Sequence, residues 1–276
     1  MEETGIIRRS DSPYASPVVV VSKKDGSDRI CVAYRKLNHI TIFDPEPMIS
    51  VNDLLHKLNG SKYITKLDLC SGYWQIQMDE QDVHKTAFVI PDGNFEFLKM
   101  PFGLVNSGAT LVRSMRTILG DVENVESYVD DITIYNQSWD VHLHTLNTVL
   151  KLLKTANICI KPTKCIFGTN SLEFLGHEIN NGWTSLSDDN TAKIANASRP
   201  TTKKQVQAFL GLTGYYREYI KDYSSIAASL TDLTRKGVPN KVPWNEHNET
   251  AFDSLKKSLL SKPVLKLPDI YTKNRR

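Results

Sequence analysis

Two adjacent aspartates, Asp130 and Asp131, interrupt "SYVDDITIY" (Ser127 to Tyr135), a run that otherwise alternates and branches like a buried β-strand. Taking two like charges out of water is costly unless a cation or a positively charged partner neutralises them. A third carboxylate belongs with the pair: Asp68 ends "YITKLDL", where the alternation stops and the chain turns into "CSGYW". Two strand ends side by side in one sheet would bring Asp68 next to Asp130 and Asp131. Three carboxylates at one point offer hard oxygen donors suited to Mg²⁺, which is usually held by one or two protein carboxylates plus substrate phosphates. Two such ions, roughly 4 Å apart, can activate a 3′-hydroxyl and stabilise a leaving pyrophosphate in an in-line displacement. Alone, each aspartate has a plainer reading, because adjacent aspartates are common turn formers and a strand-terminal Asp often caps the next turn.

The elements around these residues are legible in outline. Val18 to Ser22 and Arg29 to Tyr34 read as strands joined by a turn at Asp25-Gly26, in a hairpin crowded with lysines and an arginine. After the Pro-rich "DPEPM", Ser50 reads as an N-cap, and Val51, Leu54, Leu55 and Leu58 make an apolar stripe that Gly60 ends. "TAFVI" and "FEFLKM" flank "PDGN" as a hairpin. A helix is predicted from about Ser107 to Leu119 with Leu111, Met115, Ile118 and Leu119 inward, stopped by Gly120. "ESYV" and "ITIY" read as strands with Asp130 and Asp131 at the turn between them, and Ser138 starts a helix carrying Leu143, Leu146, Val149, Leu150 and Leu153. "CIKPTKCIF" and "LEFLGHEI" read as a further strand pair. From about Ser187 the signals turn helical: Thr202 with Gln205 makes a capping box before Val206, Phe209 and Leu210, and a last helix carries Phe252, Leu255 and Leu259. The expected class is α+β, helices over one face of an antiparallel sheet, with a boundary near Trp183 to Asp189.

Bulk properties narrow the function little. With 276 residues, 40% hydrophobic and 24% charged, the chain can bury a sizeable core as one large domain or two modest ones. The longest apolar run, "PVVVV", is far too short for a membrane span, and "MEETG" lacks a signal-peptide layout, so an intracellular protein is expected. Four cysteines without a C-x-x-C pair argue for reduced thiols rather than a zinc knuckle or disulfide framework. His142 and His144 stand two apart, on different faces of a helix, which disfavours a metal pair. A net charge of +3 permits a nucleic-acid partner without demanding one.

Seven ordered blocks carry a resemblance: "SPYASPVVVVSKKDG", "CVAYRKLNHIT", "KLDLCSGYWQIQM", "KTAFVIPDGNFEFLKMPFGL", "YVDDITIY", "LEFLGHEI" and "VQAFLGLTGYYREYI". In this order, over nearly the whole chain, they resemble the reverse transcriptases of gypsy-like long-terminal-repeat retrotransposons. The resemblance implies a right-hand polymerase, with fingers and palm over 1–186 and a mostly helical thumb and connection segment over 187–276. It implies RNA-directed DNA polymerase activity with two Mg²⁺, or Mn²⁺ as a substitute, held by Asp68, Asp130 and Asp131. By position, Lys24 and Arg29 match the grip on the incoming triphosphate, a point charge and a planar fork respectively. Tyr73 matches the aromatic under the deoxyribose that excludes a 2′-hydroxyl, Phe102 and Gly103 the floor of the nucleotide pocket, and Leu175, Gly176 and His177 the hairpin that grips the primer end. The implied partners are an RNA or DNA template with its primer and deoxynucleoside triphosphates, with no membrane, in the cytoplasm, a virus-like particle or the nucleus.

The sequence also departs from that family. Ala33 stands where the family has aspartate, Asp28 where it has an apolar or aromatic residue, and Cys70 where arginine is common. "NSGATLVRSM" differs at Ser107, Gly108, Leu111 and Val112, and Gly108 gives up a proline that favours an early helical position. The family's polyprotein carries a protease before this region and a ribonuclease H after it, so the expected object is a polymerase core, a fragment or a degraded copy. The rival expectation is a polymerase-fold remnant that binds nucleic acid without catalysis. A palm-like nucleotide cyclase also pairs aspartates but has no use for a basic hairpin or a helical thumb.

Overall fold

The computed structural model describes residues 1–22, 28–180, 183–261 and 265–266, with the backbone alone at 28–29 and 265–266. In chain order the elements begin β1 (Ile7–Arg9), β2 (Val18–Ser22), β3 (Asp28–Val32), α1 (Arg35–Ile40), α2 (Val51–Leu58), β4 (Tyr63–Asp68) and α3 (Glu80–Val83). Next come β5 (Phe88–Ile90), β6 (Gly93–Phe97), α4 (Ser107–Leu119), β7 (Val125–Tyr128), β8 (Asp131–Asn136) and α5 (Trp139–Thr155). The remainder is β9 (Ile166–Thr169), β10 (Ser171–Phe174), β11 (His177–Asn180), β12 (Trp183–Leu186), α6 (Asp188–Ala195), α7 (Lys203–Tyr215), α8 (Tyr223–Asp232), α9 (Glu246–Leu260) and β13 (Leu265–Lys266). The chain divides into two compact units, Met1–Ser50 with Tyr63–Gly168 and Val51–Lys62 with Thr169–Arg276. This division falls earlier than the change in composition near Ser187, because three short strands, β10 to β12, come before that change in the second unit.

In the first unit a four-stranded sheet runs in the order β7-β8-β4-β9, and a three-stranded sheet in the order β1-β6-β5. Its central strand β8, "DITIYN", is buried at every position after Asp131, the near-continuous pattern of a strand covered on both faces rather than an alternating one. Leu67, Leu111, Met115, Ile132, Ile134, Val149 and Leu153 form the core under α4 and α5, where each fully buried leucine contributes roughly 1.5–3 kcal/mol. A second cluster, Val32, Tyr34, Phe88, Phe95 and Phe97, packs the three-stranded sheet. Helix α4 starts and stops where its pattern predicts: the buried Ser107 hydroxyl donates to Pro101 O at 3.0 Å, and Gly120 leaves the helix at φ +56°.

Three local expectations need correction. Helix α5 buries His142, Thr145, Val149 and Leu153, whereas Leu143 and Leu150 are exposed, at 44% and 36%. The helix is rotated because the His142 ring is held 2.7 Å from Thr65 Oγ1 and 2.9 Å from Asn136 Oδ1, which takes a polar side chain into the core and turns two leucines outward. "CIKPTKCIF" does not pair with "LEFLGHEI": β9 instead closes the edge of the sheet beside β4, and "LEFLGHEI" folds on itself as the hairpin β10–β11. The turn in "SYVDDITIY" is Val129-Asp130, since Asp131 is already in the ladder opposite Tyr128.

The second unit joins the antiparallel sheet β10-β11-β12-β13 to α2 and α6 to α9. Three of its helices begin at side-chain caps: Ser187 accepts from Asn190 N, and Thr202 with Gln205 and Asn245 with Asn248 form reciprocal capping boxes. Ile194, Val206, Phe209, Tyr216, Leu230, Phe252, Leu255 and Leu259 fill the core between them. Leu54, Leu55 and Leu58 of α2 are buried as their spacing predicts. Among the described residues no helix is long and apolar enough to cross a membrane.

Candidate active site

Strand pairing brings the backbones of the three aspartates together. Strands β4 and β8 run antiparallel with Asp68 opposite Asp131, and the Leu69 N–H donates to Asp130 O at 2.9 Å. The two-residue loop Val129-Asp130 that closes β7–β8 holds Val129 at φ +55°. A left-handed first loop residue is ordinarily a glycine, and a β-branched one stores strain of about 1–3 kcal/mol. Such strain persists only where surrounding structure over-determines it, here the ladders on both sides of β8.

Two ammonium groups face the cluster: Lys66 Nζ lies 3.3 Å from Asp131 Oδ2, and Lys164 Nζ 3.4 Å from Asp68 Oδ2. Burial raises the Asp131 carboxyl above the usual carboxylate range, the nearby Asp68 pushes it the same way, and Lys66 and Lys164 pull it down. Gly72 cradles the remaining carboxylate, because a Cβ at that position would sit 2.6 Å from Asp130 Oδ1 and 3.5 Å from Leu111 Cδ2. Among the described residues no three His, Cys, Asp or Glu side chains form a ready metal cage. Mg²⁺ keeps water and substrate oxygens in its shell and asks few ligands of the protein. The donor set of three hard carboxylates on adjoining strand ends suits that ion, and the glycine cradle leaves Asp130 room to serve as a ligand.

The remaining predicted residues fall into two groups. Tyr73 lies in the first unit with its ring 4.8 Å from Phe102, and burial together with the Asp130 charge raises its phenol above the ordinary value. Phe102 is also met edge-on by Trp74 at 5.8 Å. Gly103 is left-handed at φ +96°, and a Cβ there would press to 3.2 Å from Val32 O, so this loop needs glycine for both shape and space. Carboxylates, Tyr73, Phe102 and Gly103 thus gather in one unit. Arg29 is described by its backbone alone, paired with Val21, and Lys24 lies outside the described residues.

Leu175, Gly176 and His177 belong to the second unit, at the turn between β10 and β11. Leu175 and Gly176 are both left-handed, φ +49° and +76°, the sign pattern of a type I′ hairpin. Tyr215 Oη donates to Leu175 O at 2.8 Å and Tyr216 Oη to Gly176 O at 2.7 Å. His177 is 2% exposed, ringed by Tyr215, Tyr216 and Tyr219, with Nδ1 3.0 Å from Tyr219 Oη. Burial pulls its imidazole down to about 4 and pushes the Tyr216 phenol up to about 12.

Several supporting residues escape a reading of the sequence alone. Asn38 ties α1 to the Gly103 loop, donating to Gly103 O at 2.8 Å and accepting from Val105 N at 2.9 Å. Lys66, Lys164, Gly72 and the tyrosines that hold the Leu175-Gly176 turn act through folded proximity; the one local hint is a glycine placed just after a strand-terminal aspartate. Of the departures, Leu111 and Val112 are buried in the core and Gly108 lies within the intact helix α4. A cavity of about 630 Å³ in the first unit is lined by Asn38, Ile76, Met100 and Ser107 among others, and by none of the three carboxylates.

Residues 21–179 match the family described as reverse transcriptase (RNA-dependent DNA polymerase). The chain is 39% identical over 280 residues to the retrovirus-related Pol polyprotein from transposon 297 of Drosophila melanogaster, covering 99% of this chain and 26% of that protein. It is 38% identical to the corresponding polyprotein from transposon gypsy of the same organism, covering 96% and 27%, and 35% identical to a Schizosaccharomyces pombe transposon polyprotein, Tf2-3, covering 96% and 20%. The chain therefore spans about a quarter or less of the length of these relatives. Among solved structures, a foamy viral protease-reverse transcriptase in complex with double-stranded DNA superposes with a TM-score of 0.88 at 25% identity, covering 94% of this chain and 46% of that one. The same viral enzyme in complex with an RNA/DNA hybrid shares the fold, with a TM-score of 0.85 at 24% identity, covering 94% and 35%. Read with the paired strand ends that gather Asp68, Asp130 and Asp131, the match places the chain in the reverse transcriptase family, among the polymerase segments of gypsy-type Pol polyproteins.

Proposed function

We propose that the chain is the polymerase portion of a retrotransposon Pol polyprotein and adds deoxynucleotides to a primer 3′ end on an RNA or DNA template. The observation that carries this reading is the Asp68–Asp131 pairing with Asp130 beside it, in a chain that belongs to the reverse transcriptase family. Support for a nucleic-acid partner comes from the complexes that the foamy viral structures contain. In this reading residues 1–186 act as fingers and palm and 187–276 as thumb and connection.

Asp68, Asp130 and Asp131 are the residues that would hold two Mg²⁺, or Mn²⁺ in their place. When bound, those ions would make the primer 3′-hydroxyl a better nucleophile and offset charge on the leaving pyrophosphate. Lys66 and Lys164, already at Asp131 and Asp68, keep the clustered carboxylates tolerable to the fold before substrate arrives. Tyr73, packed on Phe102, closes the space where a ribose 2′-hydroxyl would sit and so selects deoxyribose. Phe102 and Gly103 form the floor that Asn38 fixes in place, and Lys24 and Arg29 neutralise the triphosphate. Leu175, Gly176 and His177 form a stiff turn whose proposed task is to hold the primer end.

The test is incorporation of labelled dTTP on poly(rA)/oligo(dT) with Mg²⁺ or Mn²⁺, run beside Asp130→Asn. The expected result is incorporation that the variant loses by about 10³-fold or more, the scale of removing a group aimed at transition-state charge, with duplex binding nearly unchanged. Undiminished incorporation by Asp130→Asn would sink the assignment. Silence from a folded wild type that binds duplex in a salt-dependent way would favour a non-catalytic binder.

A further inference from the structure

Behind Asp68 the chain sets two exposed cysteines directly opposite each other. Leu69 and Ile160 form an antiparallel bridge, flanked by bonds from Lys161 N to Asp68 O at 2.8 Å and from Cys70 N to Cys159 O at 2.9 Å. This pattern makes Leu69 and Ile160 a non-hydrogen-bonded pair and sets Cys70 across from Cys159 at the next position, where a single backbone bond, Cys70 N to Cys159 O, joins them. The Gln75 carboxamide clamps that position: Nε2 donates to Cys70 O and Cys159 O, each at 2.9 Å, and Oε1 accepts from Cys159 N at 2.6 Å. Residues opposed across an antiparallel pair present their side chains on the same face, and a regular hydrogen-bonded pair has Cα atoms about 5.5 Å apart, inside the span a disulfide bridges; here Gln75 takes the second of the two bonds. Both cysteines are exposed and free. Cys165, the nearest competitor in the fold, has its Sγ turned to Asp68 N and Lys161 O, and Cys31 sits on β3 opposite Val19.

We propose that Cys70 and Cys159 are a redox modification site, closing reversibly into a cross-strand disulfide when a small disulfide such as oxidised glutathione is present. One cysteine thiolate attacks a glutathione sulfur and releases the first glutathione thiol. The second then attacks the mixed disulfide and releases another. The two cysteines lose two protons and two electrons, and one oxidised glutathione becomes two reduced ones. The bridge ties the strand end that carries Asp68 to the segment after α5.

The experiment is to treat the reduced chain with oxidised glutathione and map disulfides by mass spectrometry without reduction. The expected product has lost two hydrogen atoms, yields a Cys70–Cys159 linked peptide and reverts with dithiothreitol. In Cys70→Ser or Cys159→Ser, each checked for folding by circular dichroism, the remaining cysteine is expected to keep a glutathione adduct instead. Four free thiols after treatment of wild type, glutathione left on both Cys70 and Cys159, or a link through Cys31 or Cys165, would each overturn the proposal. Because the wild-type chain alone decides, a failed variant does not shield it, and the outcome is independent of whether the chain polymerises.

Discussion

Two hairpin turns carry most of the chemistry assigned to this chain, and they hold their shapes by opposite means. The Val129-Asp130 turn in the first unit joins strongly paired strands and presents charge: a strained residue at φ +55°, carboxylates on adjoining strand ends, and lysines at salt-bridge distance. The Leu175-Gly176 turn in the second unit is neutral and is fixed by contact, with two tyrosine hydroxyls on its carbonyls and a buried histidine beneath. The first has groups that can exchange partners when ligands arrive, whereas the second has its carbonyls committed. The first turn, proposed to hold ions, would have to leave its carboxylates able to change partners; the second, proposed to hold a primer end, would not.

A pair of alanine substitutions tests that contrast most severely. Gly72→Ala would drive a Cβ against Asp130 Oδ1, so incorporation is expected to fall about 10²-fold or more while stability changes by about 1 kcal/mol, since the displaced group is one of the proposed metal ligands. Gly176→Ala would meet Asn190 Nδ2 at 2.6 Å and Tyr216 Oη at 2.9 Å from a left-handed backbone. Its expected cost is about 2–3 kcal/mol of folding stability by urea denaturation. Equal stability losses in the two variants would erase the distinction.

The neutral turn should also respond to acid. The folded pKa of His177, about 4, lies below its ordinary 6.5. Between those values the unfolded chain binds the proton more readily, so stability is full above about 6.5 and falls as pH drops toward 4, by up to about 1.4 kcal/mol per pH unit. His142 is shifted down by burial in the same direction. Denaturation midpoints of wild type and His177→Phe at pH 7, 5.5 and 4.5 isolate the His177 share, and parallel curves would refute it.

Smaller effects sharpen the charged turn. Val129→Gly relieves the left-handed strain and is expected to raise stability by about 1 kcal/mol while lowering incorporation, as the loop loses its fixed path. A variant that gains stability and keeps full activity would show that the strain has no bearing on function. Lys66→Ala removes a partly exposed ion pair and is expected to shift the urea midpoint by less than about 1 kcal/mol, because two lysines share the balancing of the cluster. A larger loss would mean that Lys66 alone keeps the carboxylates compatible with folding.

Legibility follows the range of the forces involved. Helix α4 can be read to the residue, since its apolar spacing, its first residue and its terminal glycine are all local signals. The turn in "LEFLGHEI" cannot: a Leu-Gly pair lacks the Asn-Gly or Asp-Gly signature of a type I′ hairpin, and what holds it comes from Tyr215 and Tyr216, 40 residues along the chain. Helix α5 departs from its leucine stripe because a buried histidine with two polar partners outranks two leucines. Strand β9 takes a neighbour that its own residues do not specify, because edge pairing depends on which strand is vacant, a property of the assembled sheet.

Residue type and short-range period were enough to put three aspartates at strand ends and to start a helix after "MPFGL", because that information is local, while the ordered motif blocks carried the resemblance to reverse transcriptases. Only the folded chain settled that Asp68 stands opposite Asp131, that Gly72 lies against Asp130, that Lys66 and Lys164 reach Asp131 and Asp68, and that Cys70 stands opposite Cys159. Each depends on strand register between segments dozens of residues apart. Register is chosen by burial of whole strand faces, and no local stretch of sequence contains that choice.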